Sequence, residues 1–137
     1  NNTAFGYADL YDVTTGDSNS AFGYNTGRGI TTGRANTILG ANVTGLAAGL
    51  SNNIIIADGD GNRRINVDAS GYVGIGTGSP SYKLHVLGNF GIAPGVGTTV
   101  TPANNADLVI ETTSNTTLTF KLKGSDGVVR TGTVALA

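Results

Sequence analysis

The sequence predicts an all-β chain, with a short β-solenoid first, hairpins next and a β-meander at the C-terminal end. Three observations carry this. Residues repeat at a 17-residue step through the first part of the chain. Gly is abundant, at 22 of 137 residues, among many Val, Ile, Thr, Tyr and Phe. Strict alternation of apolar and polar residues marks the last segment.

The repeat is read from Asn2, Asn19, Asn36 and Asn53, each of which opens a strand-like run. Two positions on stand Ala4, Ala21, Ile38 and Ile55; three on stand Phe5, Phe22, Leu39 and Ile56. Gly6, Gly23 and Gly40 follow, with Ala57 fourth, and Thr14-Thr15-Gly16 recurs as Thr31-Thr32-Gly33. A short fixed period with one strand per repeat builds a solenoid whose coils stack at about 4.8 Å. Phe5, Phe22, Leu39 and Ile56 then form a structural ladder. Burial of each is expected to contribute about 1.5–3 kcal/mol. The following Gly allows close backbone approach, and the leading Asn bonds to the backbone at a corner. Residues 1–58 form this solenoid region. Coils this thin bury little surface alone, which points to packing against further copies as a trimer.

Residues 59–88 are a hairpin segment. The Ile-rich run 54–57 and RRINV are joined by Asp58-Gly59-Asp60-Gly61-Asn62, a hairpin signal, with Ile65 and Val67 on one face. GYVGIG, a Ser79-Pro80 break and YKLHV follow. Residues 89–106 are a Gly/Pro-rich connector. Residues 107–137 read as three meander strands, the middle one with Leu118, Phe120 and Leu122 inward and Thr119, Lys121 and Lys123 outward. The stretch GLAAGLSN is the one helix-compatible segment, and it is short and holds two Gly.

Composition excludes several classes. Charged residues are 12% and the formal net charge is -1, which argues against nucleic-acid binding and membrane-surface attachment. No apolar run approaches the length of a membrane span, so no membrane insertion is expected. There is no Cys, hence no disulfide or thiolate site. The absence of Met, even at position 1, is read as a processed or trimmed piece of a longer chain.

The stretch SGYVGIGTGSPSYKLHVLG (70–88) resembles a "GNVGIGTTSPxxKLHVxG" segment of bacteriophage tail-fibre and tailspike proteins. The NTAFGY, NSAFGY and TTG units are similar to head repeats of such fibres and, more loosely, of trimeric autotransporter adhesins. The last 31 residues resemble C-terminal modules of marine-phage structural proteins. The resemblance implies an intertwined homotrimeric fibre on the virion surface, extracellular, in company with other virion structural proteins. It serves there as a shaft or a host-receptor-binding part. The alternatives are the head of a bacterial surface adhesin and, less favoured, a polysaccharide-degrading tailspike. Nothing here matches the self-cleaving trimerisation chaperone that often follows the VGIGT segment.

Candidate chemistry is sparse. The Asp58–Asn62 run begins like a calcium loop, but Arg63 and Ala69 occupy positions where an EF-hand needs Gly and an acid, so a turn is the better reading. Gly74-Ile75-Gly76-Thr77-Gly78 is not followed by a helix pattern, so it is not read as a phosphate loop. His85 is the only histidine, alternates with Leu84 and Val86, and is expected on a surface. The nine acidic residues sit mostly in turn contexts with no pair placed for glycoside cleavage. The Asn-x-Thr sequons at Asn42 and Asn115 follow from composition. No catalytic, metal or cofactor-binding residue is expected. Tyr7 and Tyr24, one coil apart, are the candidate contacts for a host cell-surface glycan, or else they extend packing between chains.

Overall fold

A computed structural model describes residues 1–90, 101–102, 104, 108–114 and 117–135, with side chains given outside 111–118. The chain is all-β and divides into two compact units, Asn1–Phe90 and Gly91–Ala137. Most of the expected 89–106 connector lies outside the described residues.

The first unit is one seven-stranded sheet of β1 (Thr3–Tyr7), β2 (Ser20–Tyr24), β3 (Thr37–Leu39), β4 (Ile54–Ala57), β5 (Arg63–Val67), β6 (Val73–Ile75) and β7 (Leu84–Val86), ordered as in the chain. Strands β1 to β4 are parallel and step by one repeat, so Ala4, Ala21, Ile38 and Ile55 are successive partners, as are Phe5, Phe22, Leu39 and Ile56. This is the solenoid. β4 and β5 form the expected hairpin, β6 returns antiparallel, and β7 pairs parallel with β6 across a shorter coil. The solenoid and the 59–88 segment thus share one sheet rather than forming separate bodies.

The burial of the ladder corrects the expectation from sequence. The interior row is Ala21, Ile38 and Ile55, all fully buried, packed on Ile30, Val43 and Leu46. The Phe5, Phe22, Leu39 and Ile56 ladder stands on the opposite face, with Phe5 75% and Leu39 52% exposed. Alternation along a strand sends neighbours to opposite faces, so only one of two adjacent apolar columns can be inside. The interior takes the column with the smaller residues, Ala21, Ile38 and Ile55, and leaves the column with Phe outside. GLAAGLSN forms no helix; its Leu46 closes the interior wall instead.

Buried asparagines tie the coils together. The Asn19 side-chain amide donates to Asn2 Oδ1 at 3.1 Å and to the Gly33 carbonyl at 2.9 Å; Asn36 donates to Asn19 Oδ1 at 2.8 Å and to the Leu50 carbonyl at 2.6 Å. Each Oδ1 also accepts the backbone N–H of the next Asn, at 2.9, 3.1 and 3.0 Å. Asn19 and Asn36 thereby have both ends of their amides satisfied where water cannot reach. Gly23 explains the small residue after each ladder position, because a Cβ there would stand 1.9 Å from the Gly40 carbonyl oxygen.

Where parallel stacking gives way to hairpins, the interior row continues as Asn66, Gly74 and His85. Asn66 is fully buried and neither end of its amide has a hydrogen-bond partner among the described residues.

The second unit holds a meander of β8 (Leu108–Ser114), β9 (Thr117–Lys123) and β10 (Val129–Ala135), antiparallel throughout. The facing on β9 differs from expectation. Thr119 is buried, while Phe120 and Leu122 are 37% and 46% exposed, because nothing within this sheet covers their face. The side chain of Leu118 lies outside the described residues.

Candidate functional site

The sheet's outer face is the most distinctive surface of the first unit. Following the register across all seven strands gives one row of Phe5, Phe22, Leu39, Ile56, Ile65, Ile75 and Val86. Beside it run Ile54, Val67, Val73 and Leu84 across β4 to β7. Most of the large residues of this face are exposed, with Ile56 at 37%, Ile75 at 36% and Leu84 at 56%, while Ile65, Val67, Val73 and Val86 are half-buried. Contiguous exposed apolar surface of this extent marks an interaction site more often than chance.

Tyr7 and Tyr24 extend the same face at the end of β1 and β2. Their rings stack at 5.7 Å with an interplanar angle of 15°, and they are 73% and 53% exposed. Phe5 and Phe22 lie tilted at 6.3 Å. The coil step brings the two tyrosines together, and it sets them beside the apolar row rather than in a pocket.

Next to this, Arg28 donates to Asp12 at 2.8 Å and to Asn25 Oδ1 at 2.8 Å, and lies 4.9 Å from the centre of the Tyr11 ring. The Arg28 hydrogen bond, aided by the Gly29 N–H, holds the Asp12 carboxyl below its ordinary range. Asp9 accepts the backbone N–H groups of Gly23 and Thr26 at 3.1 and 2.9 Å. Both carboxylates therefore brace adjacent coils.

The Asp58–Asn62 run is a hairpin turn. Asp58 Oδ1 accepts the N–H groups of Asp60 and Asn62 at 3.0 Å each, and Arg64 pairs with Oδ2. Hydrogen bonds from Asn62, first, and from Arg64 and Asp60 bring the Asp58 carboxyl down to about 2. Asp68 makes the same turn, accepting from Ser70 and Tyr72 at 2.9 Å. Gly61 and Gly71 occupy the left-handed position in each, at φ 83° and 71°. Among the described residues no group of three or more His, Asp or Glu is placed to hold a metal ion.

The Gly74–Gly78 run spans the end of β6 and a turn, with β7 following. His85 is half-buried in the interior row, where Nδ1 accepts the Ser81 N–H at 3.3 Å and the ring meets Tyr82 edge-on at 5.9 Å.

The fold and the repeat define an all-β, β-solenoid repeat protein with a separate antiparallel sheet. No protein-family model, curated protein or solved structure matched the chain.

Proposed function

We propose that the chain is a structural, non-enzymatic segment of a homotrimeric fibre, in which the outer sheet face packs against copies of itself. The observation that carries this is the apolar row from Phe5 to Val86, unbroken across seven strands, with Phe5, Phe22, Leu39, Ile56 and Ile75 open to solvent in the single chain. Covering it would remove from water side chains worth about 1.5–3 kcal/mol each when fully buried. A thin coil needs that contribution. The likeness of the NTAFGY repeats and the VGIGT–SP–KLHV segment to phage fibre proteins supports the reading of three copies, in a virion-surface appendage beside other virion structural proteins. Tyr7 and Tyr24 belong to the packed face in this reading, and their role as contacts for a host glycan is secondary to it.

Mass in solution tests the proposal. Light scattering at micromolar concentration is expected to give three times the 13.8 kDa chain mass, and Phe22→Lys with Leu39→Lys is expected to release the monomer. A compact wild-type monomer refutes the assembly.

A further inference from the structure

The tyrosine pair at the head of the sheet holds a chemistry found nowhere else in the chain. Tyr7 and Tyr24 are register partners on β1 and β2, so their backbones lie one strand spacing apart, about 4.8 Å. Their rings stack at 5.7 Å and 15°, and both are exposed. The remaining tyrosines, Tyr11, Tyr72 and Tyr82, each face a different kind of group. Arg28 lies 4.9 Å from the centre of the Tyr11 ring, Lys83 Nζ lies 4.6 Å from that of Tyr72, and Tyr82 meets His85 edge-on. A cation over a ring draws on its electrons and makes their removal harder.

No sulfur side chain or indole competes for an oxidant. Thiols and thioethers ordinarily take up oxidising equivalents, and this sequence has no Cys, no Met and no Trp. Phenol is then the most readily oxidised side chain present, and a radical formed on it has no sulfur or indole to move to. At Tyr7 and Tyr24 a second phenol already stands against the first. β1 is also the strand with most to gain from a tie. It is first in the sheet, pairs with β2 alone among the described residues, and has all five of its residues exposed. A strand held on one side opens more easily than those within the sheet.

We propose that Tyr7 and Tyr24 are an oxidative coupling site, at which peroxide acting through a haem peroxidase joins the first two coils by a dityrosine bond. Each phenol gives up one electron and one proton and becomes a phenoxyl radical. The two radicals pair their electrons in a carbon–carbon bond between one Cε of each ring, ortho to the oxygen. The hydrogen on each joined carbon then moves to the oxygen of its own ring, which restores both phenols. The peroxide takes both electrons and both protons and leaves as two waters. Exposed rings are free to turn from stacked faces to meeting edges, and backbones one strand spacing apart keep those edges within reach. The bond spans one 17-residue coil, from Tyr7 to Tyr24. β1 could then leave the stack only together with β2, the restraint a disulfide supplies where Cys is present. The coupling needs one chain only and does not rest on the fibre reading.

The test treats the full chain with a haem peroxidase and limiting hydrogen peroxide, and reads dityrosine fluorescence, denaturing gels and mass. The expected product runs as a single chain and is lighter by two hydrogen atoms. Cleavage before Asp separates residues 1–8 from 17–57 in the parent and leaves them joined in the product. Tyr7→Phe and Tyr24→Phe are each expected to abolish this product, while Tyr11→Phe and Tyr72→Phe form it as the parent does. Hydrogen exchange at the paired amides of β1 is expected to slow once the bond has formed. Copies packed on the outer face would shield the rings, so Ile56→Lys/Ile75→Lys, which charges that face away from the tyrosines, is treated alongside. Product from this variant alone supports the coupling site and puts the rings beneath an interface. The inference is overturned if neither protein gives the single-chain product, if cross-linked dimers form in its place, or if Tyr7→Phe gives it unchanged. Light scattering reads the fibre separately: a monomer that couples its tyrosines loses the fibre and keeps this site, and a trimer whose chains do not couple does the reverse.

Discussion

Replacing Ile38 by Ala removes three carbons from the centre of the solenoid interior. Ile38 is fully buried between Ala21 and Ile55 and packs within the cluster of Ile30, Val43 and Leu46. Each lost carbon forfeits about 0.8 kcal/mol of transfer free energy, and walls pinned by asparagine hydrogen bonds relax little into the cavity. The expected cost is about 3–4 kcal/mol. Phe22→Ala deletes a larger side chain, yet its residue is 41% exposed and leans on Phe5. For the isolated chain its cost is expected at about 1 kcal/mol. Urea unfolding followed by circular dichroism, at several protein concentrations, measures both. In an assembly that buries the outer face, the Phe22→Ala cost grows with concentration while the Ile38→Ala cost within the chain persists. The reasoning fails if, under monomeric conditions, Phe22→Ala costs as much as Ile38→Ala, since the two faces would then be assigned the wrong way round.

Gly23→Ala is expected to destabilise by several kcal/mol, because its Cβ would lie 1.9 Å from a backbone oxygen of the next coil, whereas Gly59→Ala, with nothing within 4 Å, should melt as the parent does. The Asp58 turn predicts a pH dependence. A carboxyl brought down from 3.8 to about 2 stabilises the fold fully above about pH 4 and loses that contribution as pH falls towards 2. Thermal melts stepped through this window should fall less steeply for Asp58→Asn than for the parent, and parallel curves would show that the turn does not titrate as described.

The period, the parallel register, the hairpin at Asp58–Asn62 and the C-terminal meander were all legible in the sequence, because each is written in local spacing. The asparagine corner was legible in part: Asn at every coil start signalled side-chain bonds to the backbone, but not the buried chain of amides from Asn to Asn. Which face is inside was not. Two adjacent apolar columns compete, and size alone favours Phe and Leu for the interior; the decision rests on the distance between the coil's walls, which depends on Ile30, Val43 and Leu46 far along the chain. The available signal was slight: only Val13 and Ile30 keep the coil step on that wall, while Thr26 and Gly29 stand one step before Val43 and Leu46. The parallel pairing of β6 with β7 was hidden by its shorter coil.

The asparagine corner has a consequence for how such a chain can change length. Asn19 and Asn36 repeat the same bonds, each to the Asn one coil before it and to a carbonyl 14 residues on. Duplicating or deleting one whole 17-residue unit re-forms the interior row, the glycine approach and the amide chain at once. An insertion of any other length within β1 to β4 displaces all of these together, placing a side chain against a carbonyl and leaving buried amides unpaired. Length variation in this part of the chain is therefore quantised, and its unit is the coil.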